Sequence, residues 1–307
     1  MSSKGLKKRW KKNDQEKIIQ LIQRGGFFAD NFSPFGFLKD GHLDLRGLLV
    51  EGSTLKNIGF ENVDFSFSSF KSAWIEKVTF NNCIFSNVNF SNVADHGNKF
   101  KSCSFLDCNF NNAVIGYKGS NFLEYTFTSC SFQKAQFIRS EYKATNFFNC
   151  KIRNIDFNAS SFEDCIFEGL LDDVWFRGGF ALVSDAVTFG APKRNLMKNV
   201  SFEKADLRNP TFSDNCDLSS VKIKKNSRYY KYDNWDKRLQ FLKLGLDSWD
   251  NEERKEAEIF FNTYSVHAKK QDWFIINIDD LERDYGKVMG KIVERLNSFT
   301  PFVTAGE

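Results

Sequence analysis

The sequence predicts a repeat solenoid closed by a helical module at its C-terminal end. Three observations carry that reading. From Leu45 a large apolar residue recurs at every fifth position (Leu45, Val50, Leu55, Phe60, Phe65, Phe70, Ile75, Phe80, Phe85, Phe90), misses once at Asp95, and resumes in phase from Phe100 to Ile115. After two inserted residues the beat runs from Phe122 to Phe167, and a third block continues at Phe202, Leu207, Phe212, Leu218 and Ile223. This period matches neither a helix, at about 3.6, nor a strand, at about 2, and a fixed short period signals a repeat architecture. The second observation is that the residue two before a beat is mostly small or medium and apolar, as at Val63, Val88 and Val93, while the residue two after is often Asn or Gly, as at Gly47, Asn57, Asn62 and Asn82. Asn and Gly tolerate positive φ, so each unit presents two inward side chains and then a corner. Third, the period gives way to helical spacing after residue 223.

Stretches such as "CIFSN", "CSFLD", "CNFNN", "CSFQK", "ADLRN" and "VDFSF" resemble the pentapeptide-repeat family over roughly residues 43–167 and 198–223. The resemblance implies a right-handed quadrilateral β-helix, a mainly β fold with four pentapeptides per coil, so that residues 20 apart stack. This chain departs from the family consensus in preferring Phe to Leu at the centre and Cys to Ala two before it, which implies a bore filled by ring stacks. Phe65, Phe85 and Phe105 then form one inward column. Cys83 and Cys103 pair in another, as do Cys130 and Cys150, and Cys108 joins the latter pair if the two-residue insertion loops out.

Taken in order, residues 1–26 read as a disordered basic tail through residue 12 followed by a helix, capped at Asn13 or Asp14, with Ile18, Ile19 and Ile22 on one face and Gly25-Gly26 at its end. That helix suits the open end of a solenoid, which needs a cover. Residues 27–223 form the β-helix, with a degenerate first coil containing Phe27, Phe32 and Phe37, a loop at 116–120 that absorbs the insertion, and a non-repeat insert at 168–199 that projects from the rod. Residues 224–307 form the helical module. Trp235, Leu239 and Leu242 share one face, Asp250 and Glu253 suit a capping box for a second helix, and Asp279 or Asp280 caps a third. "DWFIINI" has no clear type.

The composition sets limits on function. Phenylalanine occurs 35 times, 19 of them on beats, so ring burial dominates the core, each ring contributing about 1.5–3 kcal/mol. Seven cysteines, an odd number, argue against a complete disulfide framework and for a reducing, cytoplasmic setting. No apolar run is long enough to span a membrane. His42, His96 and His267 are far apart, no phosphate loop or catalytic motif is present, and no cofactor or metal site is expected. The cysteines read as small hydrophobes in crowded columns. A 20-residue offset also predicts exposed ion pairs of Glu51 with Lys71, Lys56 with Glu76 and Lys143 with Glu163.

The expected function is that of a non-enzymatic scaffold that binds a protein partner or a second protomer, a homodimer formed through the C-terminal helices. Candidate partner-binding residues are the outward Phe67 and Trp74, the insert's Trp175, Phe176 and Phe180, and the module's Trp235, Trp249 and Trp273. Trp10, within the basic tail, is a weaker candidate for touching nucleic acid or an anionic surface. The alternative, which the resemblance suggests, is a DNA mimic that protects the type II topoisomerase gyrase. A rod of about seven coils, roughly 35 Å, would match duplex bearing on the order of 20 charges. Residues 41–223 hold 19 Lys/Arg and 20 Asp/Glu, which disfavours that alternative.

Overall fold

The structure, a computed structural model, describes residues 3–28, 32–182, 184–226 and 228–301, without the side chains of Ser3, Phe27 and Phe28. Phe27 as a side chain and the first two residues of the expected tail therefore lie outside the described residues.

The beats point inward on four sides of a parallel solenoid. On the first side, Phe65, Phe85, Phe105, Phe127, Phe147, Phe167 and Phe202 form one continuous stack, with ring centroids 5.4, 4.6, 4.9, 5.1, 4.8 and 5.1 Å apart. Coil-to-coil pairing sets Leu55 opposite Ile75 on the third side and Phe60 opposite Phe80 on the fourth. The second side is joined by single bridges, from Leu49–Ser69 onward. The corners lie at left-handed φ: Asn57 at 55°, Asn62 at 53° and Asn82 at 49°. Phe67 occupies such a corner at φ 63° and is half-buried.

Two irregularities explain the breaks in period. The insertion at 116–120 makes one coil 22 residues long, so that Phe100 opposes Phe122. Asp95, the missed beat, is buried in the bore. It accepts hydrogen bonds from the Gly116 backbone N–H (2.8 Å), the Ser120 hydroxyl (2.9 Å) and the Asn98 amide, and so ties down the inserted loop. Burial raises its pKa to about 6. Gly116 is required here: its φ is 90° and a Cβ would fall 2.0 Å from the Ser140 hydroxyl.

The second irregularity corrects the extent of the insert. The strand Ile166–Arg177 carries the solenoid past residue 168. One residue is deleted in this coil, so Leu171 pairs with Ile152, and Phe176 with Phe157. That slip hides two beats from a strict count of five. Only the segment after Arg177 leaves the rod, and Met197, fully buried, returns to it.

All seven cysteines are buried free thiols. Cys108, Cys130 and Cys150 share the second side, since Asn109 bridges Ser131 and Ser131 bridges Lys151. Their columns are crowded: the Cys83 backbone N–H lies 3.3 Å from the Cys103 sulfur. Burial pushes the Cys165 thiol up to about 12. Of the ion pairs, Lys56–Glu76 (3.2 Å) and Lys143–Glu163 (3.3 Å) form, while Glu51 accepts instead from the Ser69 hydroxyl at 2.5 Å.

Both ends of the rod are covered. Ser3–Lys8 forms helix α1 and Lys12–Arg24 helix α2, so the basic segment is folded from Ser3 onward. Helix α2 starts before Asn13 and has no side-chain cap. Trp10 is buried; its indole N–H donates to the Arg46 carbonyl (2.9 Å), and its ring meets Phe35 edge-on at 4.8 Å. That location removes it as a contact for nucleic acid or lipid. Between α2 and the repeats, Gly26–Phe28 pairs in parallel with Ile58–Phe60.

At the other end, "DWFIINI" supplies a strand, Phe274–Asn277, antiparallel to Tyr229–Tyr232. Around it pack α4 (Trp235–Gly245), α5 (Asn251–Ala268), α6 (Ile278–Tyr285) and α7 (Val288–Asn297). Asp250 caps α5 through Glu252 and Glu253; Asn277, rather than Asp279 or Asp280, caps α6. The module docks by supplying hydrogen bonds to the last coil. The Gln271 side chain accepts from the Cys216 N–H (3.0 Å) and donates to the Cys216 carbonyl (2.5 Å). The Asn277 amide donates to the Leu207 carbonyl (2.7 Å), and the Leu207 N–H donates to the Tyr229 hydroxyl (3.0 Å). Pairing an open strand edge in this way blocks edge-to-edge association.

Candidate protein-interaction face

The outward side chains of the third side form a second aromatic array. Strand Trp74–Glu76 pairs with Ala94–His96, and His96 lies opposite Tyr117 because the 116–120 insertion shifts the register. Trp74 leans along the rod onto His96, with centroids 3.8 Å apart and planes within 18°. His96 meets Tyr117 edge-on at 4.5 Å. The insert extends the array: Phe189, at the end of the short helix α3 (Asp185–Phe189), packs on Tyr117 at 5.4 Å, and Phe180 lies 5.7 Å from Phe189. Arg139 holds the insert down by donating to the Phe189 carbonyl at 2.5 Å.

Trp74 remains 41% exposed despite this packing, whereas His96 is buried. The Nδ1 of His96 has no hydrogen-bond partner. Burial, followed by the positive charge of Lys118, holds the imidazole below the ordinary histidine range, with Glu76 opposing. A neutral ring stacks on indole without a desolvated charge. The indole N–H of Trp74 points to the Glu76 carboxylate (3.3 Å), so the free edge of the tryptophan is oriented.

Two of the sequence-derived candidates, Trp74 and Phe180, thus stand at opposite ends of one ladder. The others do not join it. Phe67 is on a different corner. Phe176 is fully buried, stacked between Phe157 and Phe212 at 5.2 and 5.6 Å. Trp235 is fully buried between Phe274 (5.1 Å) and Tyr232 (5.8 Å). Neither presents a surface to a partner. Trp175 is pinned at the seam with the C-terminal module: it donates to the Ser213 hydroxyl (2.8 Å), lies under Arg177 (3.9 Å) and meets His267 at 5.5 Å. Lys291 covers Trp249 at 4.6 Å and Lys231 covers Trp273 at 5.1 Å. The residues that sequence reasoning missed are His96, Tyr117 and Phe189. The coil offset held the signal for the first two, since Glu76, His96 and Tyr117 follow one another by about one coil.

The surface also has a cleft of about 510 Å³ on the second side, lined by Lys151, Ile152 and Leu170 among others. Its thiol, Cys150, is buried and is held above the ordinary range by its neighbour Cys130 and by burial. Among the described residues no group of three or more His, Cys, Asp or Glu is arranged to hold a metal, and no helix is long and apolar enough to cross a membrane.

No family model matches the chain, and a search of curated proteins found no match. Solved structures similar to it include full-length QnrB1, a plasmid-mediated fluoroquinolone resistance protein, at 13% identity and TM-score 0.31, covering 56% of this chain and 94% of that one. HetL, a pentapeptide-repeat protein involved in heterocyst differentiation regulation in the cyanobacterium Nostoc sp. strain PCC 7120, matches at 10% identity and TM-score 0.26 over 59% of this chain and 87% of its own. Rfr23, a pentapeptide-repeat protein of the cyanobacterium Cyanothece 51142, matches at 11% identity and TM-score 0.14 over 59% and 90%. Four sides, about one five-residue unit per side, two inward side chains per unit and left-handed corners give this chain the β-solenoid fold of pentapeptide-repeat proteins, with helices at both ends.

Proposed function

We propose that this chain is a non-enzymatic scaffold that engages a protein partner through the third side of its β-helix and the insert docked there. The observation that carries the reading is the exposed Trp74 at the head of the Trp74–His96–Tyr117–Phe189 ladder. A large aromatic, oriented by its neighbours and mounted on a rigid rod, has the attributes of a binding anchor, because little conformational entropy is left to lose on association. The C-terminal module has a different task in this account, since its aromatic side chains are largely spent on its own core and on the last coil.

The test is a pull-down from extract of the native cell with the full-length chain, Trp74→Ala and Phe189→Ala. The wild type should retain a partner that both variants lose, with thermal melting of Trp74→Ala unchanged. Equal retention by all three proteins would remove the function from this side.

A further inference from the structure

We infer that the third-side strip takes an acidic polypeptide segment, whose carboxylates meet Lys77, Lys99, Lys101 and Lys118 around Trp74. The inference rests on the binding reading above and adds the chemistry of the partner. Lys77, Lys118 and Arg139 occupy the corner that follows the third-side strands, and Lys99 and Lys101 flank Phe100 on the fourth side. The four lysines are exposed, and among the described residues none of them forms an ion pair with a carboxylate. Of the acidic neighbours, Glu76 is engaged by Lys56 at 3.2 Å and Glu124, one coil on from Lys101, accepts from the Ser102 hydroxyl at 2.8 Å, which leaves Glu141 of the fourth-side strands. With coils about 4.8 Å apart, Lys77, Lys118 and Arg139 spread positive charge along roughly 15 Å of the rod.

Local conformation does not account for these residues. Lys77, Lys118 and Arg139 have φ of 53°, 64° and 57°, a region costing an ordinary L-residue about 1–2 kcal/mol. Asn and Gly suit this region best, as at Asn57 and Gly97 of the same column and Asn62 and Asn82 of the next, while other corners hold Ser, Asp and, on the second side, Lys134. Three cations in one corner column therefore sit where uncharged residues fit the backbone better. Their shared property is an unneutralised positive field beside a low-dielectric, ring-filled rod, which favours an anionic ligand.

Between the two anionic macromolecules, the geometry favours polypeptide over single-stranded nucleic acid. Bases bind by stacking on open aromatic faces, and here Trp74, His96 and Tyr117 cover one another at 3.8 and 4.5 Å. An extended acidic segment needs no free row of ring faces. Its carboxylates reach the lysines, and one apolar side chain meets the exposed part of Trp74.

The experiment uses the full-length chain and three labelled probes in fluorescence anisotropy: a synthetic Glu/Asp-rich peptide containing one Leu, the same peptide with Gln/Asn in place of the acids, and a single-stranded DNA oligomer. The acidic peptide should bind, weaken as salt rises, and lose roughly tenfold or more in affinity with the double variant Lys77→Glu, Lys118→Glu. Lys222→Glu, on the first side, should leave it unchanged, and the amide peptide should not bind. Failure of the acidic peptide to bind, equal binding to the double variant, or tighter binding of the DNA would overturn the assignment. The pull-down separates the two readings. A partner lost with Trp74→Ala but kept by the double variant refutes the acidic class and leaves the face; one kept by both refutes the face as well.

Discussion

At the scale of single residues the fold rests on rings in columns. Phe85 touches Phe65 and Phe105 along its column and Phe80 and Phe90 across the bore, so Phe85→Ala should leave a cavity that its stacked neighbours cannot fill. We expect a loss of about 3–5 kcal/mol, measured by denaturant unfolding. Asp95 makes a different prediction. Its folded pKa of about 6 lies above the ordinary carboxyl range, so the folded state holds the proton more tightly than the unfolded chain. The associated stability is present in acid, below the unfolded pKa, and is lost as pH rises through about 6. Asp95→Asn removes this titration, so the stability difference between wild type and variant should shift by about 2–3 kcal/mol between acid and neutral pH. A pH-independent difference would show that the three hydrogen-bond donors cancel the effect of burial and leave the folded pKa at its unfolded value. The sequence displayed Asp95 as a missed beat but not the reason for it, because its partners Gly116 and Ser120 lie a coil away, in an insertion whose path a linear period does not give.

At the scale of elements, legibility followed periodicity. The regular coils were readable because each beat buries a side chain against the same beat one coil away, so the sequence period and the packing period coincide. Leu171 and Phe176 were missed because a single deletion breaks the count while the strand pairing absorbs it. Trp10 and the segment around it read as a solvated tail on charge alone; burial of its ring and the bidentate grip of Arg9 on Asp44 are tertiary and leave no local trace. The candidate site was legible only in part: Trp74 and Phe180 stand out as large outward aromatics, but the ladder joining them depends on the fold of the insert. The C-terminal module yields its own prediction. Gln271, Asn277 and Tyr229 satisfy backbone groups of the last coil, so a chain truncated at Lys224 exposes an unpaired parallel edge. Light scattering should show it self-associating while circular dichroism retains the β signal. A truncated chain that stays monomeric would show the last coil to be stable without its cover.

At the scale of the whole molecule, the charge distribution decides between mechanisms. A DNA mimic needs an acidic rod, and here the repeat region is nearly balanced, with its third corner column basic. Adding the protein to a gyrase supercoiling assay containing a quinolone should therefore give no protection; protection at micromolar protein would restore that alternative. The central claim is that a partner is met on the third side of the rod. Its most direct measurement is photo-crosslinking in the native cell, with a photoreactive residue placed either at Lys77 on the third-side corner or at Leu106, an exposed apolar position on the first side. The account predicts a discrete adduct from position 77 and none from position 106. An adduct from position 106 with none from position 77 would contradict it.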